Sequence, residues 1–280
     1  MNERAAPKVP DAPIFALLRG FKRAEMFSVG AIFLLALIAW GYIATLEPMT
    51  PPSVVRPDMP GMDMGGMSAS AAASWTWARA LATFSMWSVM MAAMMLPAAA
   101  PIVLLHRRTA FQAHAQGAPA PPTVLLVLGY AIVWAAFATL ATALQWALSN
   151  AALLTDMDAL SDRRIAGAVL IAAGLYQVTP FKQACLQLCR SPVAFLMRHY
   201  QPGAAGALRM GLGHGFYCLG CCWAAMALLF VGGVMNLTWV AGLAIFVLIE
   251  KALPFGRAFG IAVGIGALAA GSYWLLISAP

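Results

Sequence analysis

Apolar residues fall along this chain in long unbroken runs, and the polar residues gather in the gaps between them. A helix needs about 20 apolar residues to cross the hydrocarbon core of a bilayer. Seven runs approach that length, near 27–46, 79–105, 123–149, 165–181, 210–233, 237–253 and 257–278. The last two are separated by "EKALPFGR", where charge, proline and glycine mark a turn. The pattern predicts an all-α, polytopic transmembrane helical bundle of seven spans, with six as the smaller count. The chain then divides into an N-terminal segment 1–26, a first span 27–46, a loop 47–78 and a core membrane domain 79–280 of six spans.

Composition supports the membrane assignment: 62% of the 280 residues are hydrophobic and 10% charged, against roughly half and a quarter in soluble domains. The basic stretch Arg4, Lys8, Arg19, Lys22 and Arg23 precedes an apolar run too long for a signal-peptide core and without a small-residue cleavage site, so the first span is expected to stay. Short loops rich in Lys and Arg face the cytoplasm. With the N-terminus inside, thirteen of the seventeen basic residues fall on that side, leaving Arg56, Arg79, Arg163 and Arg164 outside. The expected location is a bacterial inner membrane, with segment 1–26 cytoplasmic and loop 47–78 extracytoplasmic. The net charge of +7 is then largely a topology signal. No basic and aromatic interleaving points to nucleic acid, which is discarded as a partner.

Within this apolar chain, soft donor atoms are concentrated. "GHGFYCLGCCW", residues 213–223, holds His214, Cys218, Cys221 and Cys222. Positions i, i+4, i+7 and i+8 share one helical face, and Trp223 points away from it. The depth expected for Cys218 to Cys222 is roughly 13 to 20 Å from the cytoplasmic end, near mid-membrane. Cys185 and Cys189 sit at i, i+4 in "KQACLQLCRSP", read as a short interfacial segment on the cytoplasmic side. No cysteine falls outside, which argues against structural disulfides. A single membrane cysteine is ordinarily packing, but three within five residues beside a histidine are not so readily explained.

Methionine supplies two further concentrations. In "SMWSVMMAAMMLPAAAP", Met86, Met90 and Met94 form one helical stripe with Pro97 and Pro101, flanked by Met91 and Met95. Met95 falls in the same depth range as the cysteines. The loop carries Met49, Met59, Met62, Met64 and Met67 among proline, glycine and serine, with Asp58 and Asp63. So little apolar material predicts a flexible segment, in which thioethers gain nothing from burial. Thioethers and thiolates select Cu(I) among biological metals. A closed zinc site wants four ligands, which one helix does not supply because adjacent Cys221 and Cys222 diverge by about 100°.

The segments "WSVMMAAMMLPAAAP", "QVTPFKQACLQLCRSP", "GALRMGLGHGFYCLGCCWAAM", "GGVMNLTW" and "EKALPFG" together resemble a bacterial family of predicted metal-binding integral membrane proteins, over about 80–275. The C-x3-C segment followed by H-G-x-Y-C-x-G-C-C-W carries the resemblance, which implies a membrane protein that binds metal.

Three functions follow from these features. In the first, a soft metal, Cu(I), is captured on the outer methionines, passes along Met86, Met90 and Met94 to His214, Cys218, Cys221 and Cys222, and leaves at Cys185 and Cys189 for a cytosolic acceptor. In the second, Cys218-x2-Cys221 is a redox dithiol exchanging electrons across the membrane. In the third, the chain is a scaffold for other membrane subunits. No G-x-S-x-G, H-E-x-x-H or Walker-type motif is present, so an enzyme is not expected. Glu250 and Lys251 read as a charged pair at the membrane boundary, snorkelling to water, with a coupled proton as the alternative. His106, His114 and His199 read as solvated loop residues without a metal role.

Overall fold

A computed structural model of the chain describes residues 23–46, 75–115, 117, 121–155 and 157–278. The methionine-rich loop and most of the N-terminal basic segment lie outside the described residues. Ten helices follow in order among the described residues: α1 (Arg23–Leu46), α2 (Trp77–Ala115), α3 (Thr123–Asn150), α4 (Arg163–Val178), α5 (Pro180–Arg190), α6 (Pro192–His199), α7 (Gly203–Ala227), α8 (Leu229–Gly232), α9 (Leu237–Ala252) and α10 (Gly256–Ile277).

Among the described residues, four stretches are long and apolar enough to cross a membrane: α2, α3, the α7–α8 run Gly203–Gly232, and α10. A fifth is reached if α4 and α5, bent by 64°, count as one broken span. Of the seven spans expected, four or five are met by helices of spanning length among the described residues. Helix α1 contributes a shorter apolar stretch, Gly30–Thr45. Helix α9 has 16 residues, about 24 Å at ~1.5 Å each, short of a core of about 30 Å. Its end is not the snorkelling boundary expected, because Glu250 and Lys251 are 1% and 5% exposed. By contrast α2 has 39 residues and runs through Pro97 and Pro101. His106 lies on it, fully buried, with Nδ1 3.0 Å from the Thr123 hydroxyl, so it is an interior residue rather than a loop one.

Local chemistry sets the corners. The Thr179 hydroxyl accepts from the Lys182 amide and Pro180 opens α5; the Ser191 hydroxyl accepts from Ala194 and Pro192 opens α6. A residue before proline is kept out of the helical region, and proline suits a first helical position. Each T-P or S-P pair thus ends one helix and starts the next. Asp162 and Asn236 cap α4 and α9 in the same manner. Arg190 donates to the Leu253 carbonyl at 2.7 Å, tying the end of α5 to the end of α9.

Two close pairs build the body. Helices α3 and α7 meet where Gly129 lies against the Leu208 carbonyl and Gly211 against the Leu126 backbone; a methyl at Gly215 would sit 2.9 Å from Val133. Helices α4 and α10 meet at Gly167, Gly174, Gly264 and Gly271, each facing the partner's backbone or side chains. Without a strong hydrophobic drive between helices in lipid, such packing depends on small residues that admit close approach. Around these pairs one apolar core runs from Trp87 and Met90 through Tyr130 and Phe195 to Cys218 and Val247.

Gly211→Ala should push α3 from α7, since its Cβ would overlap the Leu126 backbone. Overpacking of this kind costs about 1–3 kcal/mol, a fall in melting temperature on the order of 5 °C. Gly213→Ala, which meets only the Phe195 ring at 3.9 Å, should leave the melting temperature of the detergent-solubilised protein unchanged.

Candidate metal centre

The face read from spacing on α7 is turned inward: His214, Cys218, Cys221 and Cys222 are all buried, while Trp223 is 44% exposed on the far side. What the three cysteines face comes from four other helices. The Lys251 ammonium of α9 lies 3.0 Å from Cys218 Sγ, 3.6 Å from Met95 Sδ and 3.9 Å from Cys222 Sγ. Cys222 Sγ is 4.0 Å from Met95 Sδ on α2. The Tyr130 hydroxyl of α3 is 3.2 Å from Cys218 Sγ and 3.2 Å from the Met95 carbonyl, to which it donates. From α5, Cys189 Sγ approaches Cys221 Sγ at 3.8 Å. All five cysteines are free thiols.

An ammonium has three donors, and here they meet two thiols and a thioether. A buried charge left without compensation costs several kcal/mol, so neighbouring charges decide what Lys251 requires of these sulfurs. The adjacent Glu250 is paired with the buried Lys182 of α5 and also receives Gln177 Nε2 at 3.4 Å. Gly260 leaves the space its carboxylate fills, because a methyl there would overlap Oε1. Lys182 and Glu250 pair with each other, and the Lys251 ammonium is directed at the sulfurs, where one thiolate would balance its charge.

The other expected ligands are placed as follows. His214 stacks on Tyr130 at 5.8 Å and meets the Phe195 ring edge-on at 5.2 Å; its Nδ1 is buried without a hydrogen-bond partner. Cys185 is beside the cluster rather than in it, its thiol packed over Gly220. Cys189 is not an interfacial bystander, since α5 folds back on α7. The thioether that reaches the cysteines is Met95, one of the flanking residues. Met86 and Met90 line a cavity with Met235, and Met94 lines another with Trp40 and Ala241. Among the described residues, no three His, Cys, Asp or Glu side chains converge tightly enough to hold an ion. The sulfurs surround an ammonium instead.

Sequence reasoning gave Tyr130 no role, set Met95 beside the stripe without assigning it as a ligand, and read Lys251 as a boundary charge. A charged pair inside an apolar run was the available signal for Lys251, because ionisable residues at membrane depth are functional by default.

Chemically, the arrangement suits a soft cation of low coordination number. On the scale of a zinc–thiolate bond of about 2.3 Å, an ion held between two sulfurs needs them up to about 4.6 Å apart, and Cys189 and Cys221 at 3.8 Å are within a side-chain adjustment of that. Fold and cluster thus define an all-α protein with helices of membrane-spanning length and a sulfur-rich interior. The model of the PpoB2 family, described as a copper chaperone, matches residues 84–274, which include every residue of the cluster. The chain belongs to that family, and membership ties it to copper. No curated protein and no solved structure gives a significant match.

The 3.8 Å contact predicts that diamide joins Cys189 to Cys221. Titratable thiols per chain should fall from five to three, and peptide mapping should recover that pair. In Cys189→Ser all four remaining thiols should persist; a pairing of Cys218 with Cys221 instead would contradict the geometry.

Proposed function

We propose that this protein binds Cu(I) on the thiols of Cys189, Cys218, Cys221 and Cys222 and hands it on, as a carrier and not an enzyme. The observation that carries the reading is the single unbalanced ammonium of Lys251 among those sulfurs. Cu(I) held by two thiolates has a net charge of minus one, which Lys251 neutralises. Met95 and the unpartnered His214 Nδ1 stand close by as neutral donors for a changing coordination shell. The copper is cargo, supplied from outside by the methionine-rich loop and passed along α2, with the N-terminus in the cytoplasm of a bacterial inner membrane. Cys185, one helical turn before Cys189 and packed over Gly220, is the exit side toward a cytosolic acceptor or another membrane subunit.

A redox dithiol is the second reading, and the 3.8 Å approach of Cys189 and Cys221 favours that pair over Cys218 and Cys221. The two readings differ in what a reduced, metal-free protein does with Cu(I) under a competing chelator.

Cys218→Ser and Cys221→Ser should each lower Cu(I) affinity at least tenfold or remove the bound equivalent, because a thioether or hydroxyl does not replace a thiolate's charge. Trp223→Phe should retain wild-type binding. Full binding by the Cys218/Cys221 double serine variant would put the site elsewhere.

Lys251→Met tests the charge argument separately. It leaves the loaded site with a buried negative charge, and breaking such a balance costs about 3–5 kcal/mol. Cu(I) affinity measured by chelator competition should fall by more than tenfold; an increase would mean that the ammonium only obstructs the metal.

A further inference from the structure

Met86 and Met90 of α2 share a cavity with Met235, which lies in the turn between α8 and α9. The cavity measures about 20 Å³ and is completed by Ile43, Val234, Leu237 and Val240. Methionine is the most adaptable filler of irregular gaps, having three rotatable bonds and no branch. The three methionines leave a gap the size of a single water-sized particle. A buried water needs two to four polar partners, and the seven side chains offer no hydrogen-bond donor and only weakly accepting thioethers. A soft monovalent cation is the small guest for which thioether sulfur is itself a ligand.

The cavity's place in the chain bears on its use. Ile43 is in the last turn of α1, immediately before the stretch that holds Met49, Met59, Met62, Met64 and Met67. On the other side, Met90 and Met95 lie on the same helix, and from Met86 to Met95 is about 14 Å at ~1.5 Å per residue. The cavity is thus lined by a residue a few positions before the methionine-rich stretch in sequence, and by the helix that carries Met95 to the Lys251 cluster.

We propose that Met86, Met90 and Met235 form a separate all-thioether site for a soft monovalent cation, Cu(I) or its redox-inert analogue Ag(I). The proposal rests on the copper reading for the identity of its occupant, but it uses none of the cysteines. Neutral thioethers do not cancel the ion's charge, so the site binds more weakly than the thiol cluster and releases its ion readily. Favourable occupancy combined with easy exit is what a transfer position requires.

The test uses the full-length protein in detergent with all five cysteines changed to serine and with [13C-methyl]methionine. Ag(I) should bind at one saturable equivalent inside the bundle and shift the methyl resonances of Met86, Met90 and Met235, assigned by single Met→Leu variants. The Met86/Met90/Met235 triple leucine variant should lose that equivalent; these near-isosteric changes each cost less than about 1.5 kcal/mol. The same titration on the protein with its cysteines intact needs no variant to fold and should move the same three methyl signals after the thiols are filled. Shifts confined to Met49, Met59, Met62, Met64 and Met67, or an equivalent that survives the triple leucine change, would overturn the site. Loss of binding only in the serine variants, with no methionine shift in either protein, would likewise overturn it while leaving the thiol cluster intact.

Discussion

A lysine ammonium enclosed by sulfur is the constraint around which this protein is arranged. Lys251 cannot reach water, so its charge has to be met where it stands, and the groups within reach are Cys218, Cys222 and Met95. Everything near it serves that balance. Glu250 would compete for Lys251 were it not engaged by Lys182, and its carboxylate fits only because residue 260 has no side chain. Gln177 holds the same carboxylate and the Gly260 carbonyl, linking α4, α9 and α10. The charge pairing and the close approach of the helices meet at Gly260, where a side chain would displace the Glu250 carboxylate.

This balance also distinguishes the cluster from a structural zinc site. A closed tetrahedral site holds its ion with four converging ligands and no fixed cation among them. Here the thiols are dispersed over α5 and α7, with a permanent positive charge between them and a thioether. The arrangement favours an ion that takes few ligands and exchanges them, consistent with the copper chaperone family to which the chain belongs.

Much of this was legible in the sequence where one helix decided it. The inward face of His214, Cys218, Cys221 and Cys222, with Trp223 opposite, follows from the period of α7 alone. Where several helices decide, the sequence was silent or misleading. Glu250 and Lys251 have the local signature of a membrane boundary, adjacent opposite charges before P-F-G, and only the folded chain brings Lys182 and Cys218 to them. The stripe of Met86, Met90 and Met94 is a correct helical period, but the side of α2 that meets α7 belongs to Met95. Counting apolar runs gave seven spans where four or five described helices have spanning length, because a run does not reveal that α9 has only 16 residues or that α4 and α5 are broken by T-P.

That broken joint has a mechanical meaning. Helix α5 begins at Pro180 and carries Cys185 near its middle and Cys189 near its far end. It is a lever about 14 Å long from the corner to Cys189, at ~1.5 Å per residue. Turning such an arm by about 5° displaces Cys189 by roughly 1.2 Å and Cys185 by about half as much. The gap between Cys189 and Cys221 is consequently geared to the angle at one proline corner: a slight change in the bend opens or closes it by a distance comparable to half a metal–sulfur bond.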